Sequence, residues 1–371
     1  MKLKNKLLIA SLGISLSLSS FLYLRVEEFF DYIRNYSLYQ TRTINNRKEC
    51  ENDFTIKRTE IKMKKSVKKS KLEELKELYN FVEKEIKERP KNNGYLLEAW
   101  NEKIRGKTKL YFYIGLIHHY TKEFGFREDL PLAILVAEDS PYDRKNSSIR
   151  SPFQISYDTI ITLLHPYYNI KYGKEFAIKK VKESFNQIFR KVGTNYQNLS
   201  QKILYLSKKK RRKEMLNLVK YIHSKIENMK NGEIFLGELY TLYTITQSSI
   251  LYNKAEYLSR KSLNKVLSNY YGSKKSININ VIKDYSIFLL TAIAWNQGDK
   301  YMINVARSPT KLEYIIKSYK NPIYLEKLVN SLRLRKKNEL LRYLKVVRKF
   351  YLDYHSRFKS TFESPINSVV E

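Results

Sequence analysis

Apolar residues recur at spacings of three and four along most of this chain, and helices are the elements that spacing predicts. Leu72, Leu75, Leu78, Phe81 and Val82 mark an amphipathic helix that runs to about Lys87 and is stopped by Pro90 and Gly94. Leu110, Ile114, Ile117 and Tyr120 share one side of a second helix, Thr108 to Phe124, with Gly125 as its C-cap. Asp129 is placed as the N-cap of a third, with Pro131 in its first turn. That helix carries Leu132, Ala133, Leu135 and Val136 and finishes at Glu138, and Pro141 prevents its continuation. After a polar stretch, helical periodicity resumes over Ile155–His165. Residues 166–230 are basic and read as mostly helical. Ile234–Leu251 and Asp284–Asn296 are further apolar helices, and 310–371 reads as two basic ones.

Composition supports a mainly α class. Gly and Pro number only 11 and 8 in 371 residues, which suits long helices with few sharp turns. The 43% hydrophobic fraction is enough for a folded core. The net charge of +33 is compatible with an anionic partner. However, Lys, Ile, Asn and Tyr are all abundant, a coding bias that supplies lysines without any function. Charge alone therefore gives no nucleic-acid partner. The six-cation run Lys208–Lys213 reads as a solvated loop between helices, although it has the charge to grip a phosphate-bearing polymer. Cys50 is the one cysteine, so no intramolecular disulfide forms.

The N-terminus changes the picture. Lys2, Lys4 and Lys6 precede a charge-free run from Leu7 to Leu24. A basic start followed by an apolar stretch is the form of an export signal. The run has 18 residues, just under the roughly 20 that span a bilayer. Cleavage after Ser19 and retention as an anchor are both open. Either places the remainder outside the cytoplasm, in the periplasm or cell envelope. Residues 1–24 are thus a signal or anchor, and 25–90 a linker with a basic helix.

Four segments carry candidate chemistry. Gly125–Glu138 delivers a carboxyl at the end of an apolar helix, where desolvation disfavours the charged form and favours a protonated acid. Glycoside cleavage needs such an acid, because the leaving oxygen must be protonated. Ser147 follows nine residues later, then Ser151-Pro152-Phe153-Gln154-Ile155, with Thr159 beyond. Glu233–Tyr240 opens a later helix, and Leu290–Gly298 closes another. His118 and His119 have no metal-ligand partner at useful spacing and read as structural, and no zinc, phosphate-loop or dinucleotide motif is present.

Taken in order, these segments resemble the soluble lytic transglycosylase family, which has the goose-type lysozyme fold. Glu138 matches that family's catalytic glutamate and Ser147 its following serine. Gln154 and Thr159 match the second motif, Ile234, Gly237 and Tyr240 the third, and Ala294, Asn296 and Gly298 the fourth. The resemblance spans about residues 108–310. The chain departs from the family at Asp139, where a serine is usual, and at Ser151-Pro152-Phe153. It departs again at Trp295, which replaces a tyrosine, and in about 65 residues inserted between the second and third motifs.

The resemblance implies a lysozyme-like transglycosylase domain over 91–310, with a helical insert at about 166–230, extra N-terminal helices, and basic C-terminal helices over 311–371. It implies cleavage between N-acetylmuramic acid and N-acetylglucosamine to a 1,6-anhydro product, with Glu138 as the single catalytic carboxyl. Ser147, Gln154, Tyr157, Tyr240, Trp295 and Asn296 are the expected substrate contacts, and Asp139 an auxiliary carboxylate. For Asn296, helix capping beside Gly298 is an equal alternative. No cofactor or metal is expected. The expected partners are glycan strands, a membrane through the N-terminal segment, and cell-envelope assembly proteins. A non-catalytic wall-binding protein of the same fold and a hydrolytic muramidase are the alternatives.

Overall fold

The computed structural model describes residues 71–88, 104–138, 149–150, 153–165, 175–271 and 279–358. All of them fall within one compact unit, Lys68–Glu371. The N-terminal run, Cys50, Pro90, Gly94 and Pro141 lie outside the described residues. Among the described residues the architecture is mainly α: thirteen helices and one two-stranded hairpin. No helix among them is long and apolar enough to cross a membrane.

The first three helices are α1 (Lys71–Lys87), α2 (Ile104–Phe124) and α3 (Asp129–Glu138). α3 is apolar all round, and every residue from Asp129 to Ala137 is buried. A helix with no polar face must be enclosed by other elements. α1 and α2 cover part of it. The rest is covered by α8 (Gly232–Tyr271) and by α13 (Lys337–Phe358) from the far end of the chain. α13 seats Phe350, Tyr354 and Phe358 around Phe81 of α1, with ring centroids 5.2, 5.9 and 5.4 Å away. Lys349 ties the same two helices, reaching Glu85 at 2.7 Å and Glu88 at 3.2 Å. The C-terminal helices, expected as additions, thus form one wall of the central core.

After α3 the chain makes an antiparallel pair, β1 (Ile149–Arg150) and β2 (Ile155–Ser156), in the register Ile149↔Ser156 and Arg150↔Ile155. α4 (Tyr157–Leu164) follows directly, with the Ser156 side chain accepting from the Thr159 amide as its N-cap. The helix expected from Ile155 therefore starts two residues later. Residues 155–156 are diverted into the hairpin, and Ser156 supplies the stronger start signal.

The basic segment 166–230 contains α5 (Glu175–Arg190), α6 (Tyr196–Lys208) and α7 (Arg212–Glu227). These pack on α2, α4 and α8. α8 is 40 residues long, about 60 Å, far beyond the expected Ile234–Leu251. Its second half stays helical because Ala255, Leu263, Val266 and Leu267 remain buried after the apolar stretch has thinned out. Gly237 lets α8 pass close to α2, since a Cβ there would lie 2.5 Å from Phe112 Cε1. α9 (Ile279–Gln297) packs on α8, followed by α10 (Asp299–Ala306), α11 (Pro309–Ser318) and α12 (Ile323–Asn330). The two helices expected after residue 310 are thus three, α11, α12 and α13, separated near Pro322 and at residues 331–336.

Leu132 on α3 is completely buried. Leu132→Ala should cost about 3 kcal/mol, from lost burial and the cavity left in a core that four helices hold open. Urea denaturation followed by circular dichroism measures this. A loss under about 1 kcal/mol would mean that α3 is not the centre of the packing.

Candidate active site

Glu138 is the last residue of α3 and the first along it that is not buried. Its backbone carbonyl is one of those a helix end leaves without an intrahelical donor. The side chain of Gln154, 16 residues later, supplies that donor: Nε2 donates to Glu138 O at 2.8 Å. Gln154 does so from a left-handed backbone, φ 50°. This is an unfavourable conformation for a side chain with a Cβ, and here it turns the amide back onto α3. The neighbouring Phe153 is fully buried and meets Tyr113 of α2 edge to face, at 5.4 Å and 88°. The hairpin is therefore pinned to the end of α3 by Gln154 and to α2 by Phe153.

The other expected site residues divide. Tyr157 and Tyr240 do come together, but on the buried ring of His223, at centroid distances of 5.6 and 5.5 Å. They are only 4% and 3% exposed, so they are packing residues and present no face to a sugar. α7 is the cause: its His223 packs against both rings. Trp295 and Asn296 are half-buried at the end of α9. Asn296 Oδ1 accepts from Gln297 Nε2 at 2.7 Å. Gly298, at φ 89°, donates to Ala294 O at 2.8 Å and precedes α10, so it serves as the turn between helices. Thr159 takes part in capping α4, 3.0 Å from Ser156 Oγ. Ser147 and Asp139 lie outside the described residues.

The start of α3 holds what sequence reasoning missed. Asp129 is not an N-cap. It is the first helical residue, and its carboxylate faces Arg127, with Nε–Oδ1 at 2.7 Å and Nη2–Oδ2 at 2.5 Å. The other edge of the same guanidinium grips Asp284 of α9, at 2.7 and 3.1 Å. Asp284 also accepts from the hydroxyls of Tyr252 on α8 (2.5 Å) and Tyr351 on α13 (2.8 Å). His355 of α13 lies 3.0 Å from Asp129 and stacks on Tyr351 at 4.1 Å. The Arg127 guanidinium sits over the Tyr252 ring at 4.6 Å. One residue earlier, Glu128 is held by His118 of α2 at 2.5 Å and by the Tyr354 hydroxyl at 3.0 Å. His118 is thus structural. The available signals were three successive charges ahead of an apolar run, and Asp284 inside another.

Burial alone would raise the Asp129 and Asp284 carboxyls. The Arg127 guanidinium more than reverses this and holds both below the usual carboxylate range, with His355 adding to the effect at Asp129. Glu238, in the third motif, is different. Burial pushes it up, opposed by the Tyr120 hydroxyl donating at 2.8 Å and by Lys191. No group of three or more His, Cys, Asp or Glu side chains among the described residues is arranged to hold a metal ion.

The sign of the pH dependence follows. Carboxyls held below their unfolded value of 3.8 contribute stability above that pH and lose it as pH falls through their folded values. Arg127→Leu removes the shared countercharge of buried Asp129 and half-buried Asp284 and should cost about 3 kcal/mol at pH 7. The deficit should shrink as pH is lowered below about 4, because both carboxyls then protonate. Urea denaturation of both proteins at the two pH values checks this. An equal deficit at both would mean that packing, not charge pairing, is what the arginine contributes.

No known protein family, curated protein or solved structure matches the chain.

Proposed function

We propose that the chain is a peptidoglycan lytic transglycosylase with a lysozyme-like domain and Glu138 as its catalytic acid. The observation that carries the reading is the Gln154–Glu138 hydrogen bond of 2.8 Å. The resemblance pairs these residues across two motifs, and here the second motif clasps the end of the helix that bears the acid. A helix, a short hairpin and a second helix (α3, β1–β2, α4) follow one another along the chain from the start of α3, and this order supports the reading.

In this mechanism Glu138 donates its proton to the glycosidic oxygen as the bond from C1 of N-acetylmuramic acid breaks. The resulting carboxylate takes the proton of the muramoyl C6 hydroxyl, and that oxygen bonds to C1. A 1,6-anhydro sugar forms, the proton returns to Glu138, and no water is consumed. One carboxyl suffices because the nucleophile belongs to the substrate. Gln154 acts as a positioning residue by holding the end of α3. Export through the N-terminal segment would bring the protein to its substrate.

A second reading, a wall-binding protein without turnover, is favoured by the burial of Tyr157 and Tyr240, which removes two expected sugar contacts. Release of soluble glycan from purified sacculi separates the two. The wild type should release fragments, and Glu138→Gln should lower the rate at least about hundredfold while leaving the folded state intact. Sacculus binding with no release at any pH would overturn the proposal in favour of the second reading.

A further inference from the structure

α6 and α7 form a helical hairpin whose turn concentrates cations. Lys208, Lys209, Lys210, Arg211, Arg212 and Lys213 are consecutive, and all six are exposed. Two have acidic partners: Arg211 lies 3.3 Å from Glu214, and Arg212 lies 2.8 Å from Asp158 of α4. The four lysines have no ion pair among the described residues. Tyr205 on α6 and Tyr221 on α7 are 56% and 57% exposed, the latter beneath Lys225.

The turn itself is a second observation. α6 ends in a Schellman motif, with Arg211 N donating to Leu206 O and Lys210 N to Ser207 O, both at 2.9 Å. This places Lys210 at φ 54°. α2 and α5 end in the same way, and there the left-handed position is held by Gly125 and Gly193. Glycine adopts this conformation without strain and lysine does not. The chain thus keeps a cation at the tip of the hairpin at a cost to folding that it does not carry at the other two ends.

We propose that this hairpin tip is a docking surface for an anionic phospholipid bilayer. Six consecutive exposed cations at a helix–helix turn have the charge and accessibility to meet a flat anionic surface. The exposed Tyr205, one turn before the cluster, suits the headgroup region, where one end of the ring is apolar and the other wet. Each lysine near such a surface is worth about fivefold in binding. The basic, apolar start of the chain is consistent with work beside a membrane. The inference does not depend on the catalytic role of Glu138.

The test uses the full chain with vesicles of phosphatidylcholine alone, or mixed with phosphatidylglycerol, in co-sedimentation. Comparing the two vesicle types removes any charge-independent contribution from the apolar start. The variant carries Lys208→Gln, Lys209→Gln, Lys210→Gly and Lys213→Gln. Its substitutions are on the surface, and the glycine relieves the turn, so its thermal midpoint should not fall. The wild type should prefer the anionic vesicles, and raised salt should abolish the preference. The variant should lose ~hundredfold or more of it. An unchanged preference in the variant, or a preference that survives raised salt, would overturn the proposal. So would full displacement from the vesicles by poly(glycerol phosphate) at equal phosphate, which would assign the surface to a soluble polymer instead.

Discussion

A single guanidinium organises this molecule. Arg127 lies between α2 and α3 and uses both edges of its fork, one on Asp129 and one on Asp284. Asp284 lies 157 positions from the arginine, and both carboxylates recruit α13, Asp129 through His355 and Asp284 through Tyr351. A buried charge is costly unless paired and hydrogen-bonded. The arrangement is therefore self-consistent only when α3, α8, α9 and α13 all stand in place. Apolar burial supplies most of the driving force for packing them, and the ion network selects which faces meet.

What depends on that selection is the direction of α3. The helix is buried from Asp129 to Ala137 and has no polar face to orient it. Its start is held by charge, at Asp129, and its end by one amide, from Gln154. Glu138, half-buried, is the residue held at that second fixture. The elements that secure the start, above all α13, lie far outside the segment that resembles a transglycosylase. The C-terminal helices thus help anchor the helix that ends at Glu138.

The helical class, the C-terminal end of α3 and the breaks at Gly125 and Gly298 were legible in the sequence, because each rests on local periodicity or on a residue with special backbone freedom. The length of α8 was not, since its second half is held by partners that periodicity does not reveal. Asp129 was misjudged for a related reason. An acidic residue ahead of an apolar helix signals a cap, and only the fold brings Arg127 and His355 close enough to claim its carboxylate. Tyr157 and Tyr240 show the limit at the site. A tyrosine stacks on a sugar or packs in a core according to what covers it, and His223 of α7 covers both rings. The hydrogen bond from Gln154 to the Glu138 carbonyl spans 16 residues and was not legible, since Gln154 reads in the sequence as a substrate contact.

The account rests on the chemistry at Glu138, and the identity of the product tests it most directly. Sacculi digested with the full chain would be analysed by mass spectrometry for the terminal muramoyl residue. Fragments ending in the 1,6-anhydro form, one water lighter than the reducing sugar and absent with Glu138→Gln, are expected. Fragments with ordinary reducing ends would contradict an intramolecular attack by the C6 hydroxyl, and identical fragments from Glu138→Gln would contradict its role as the acid.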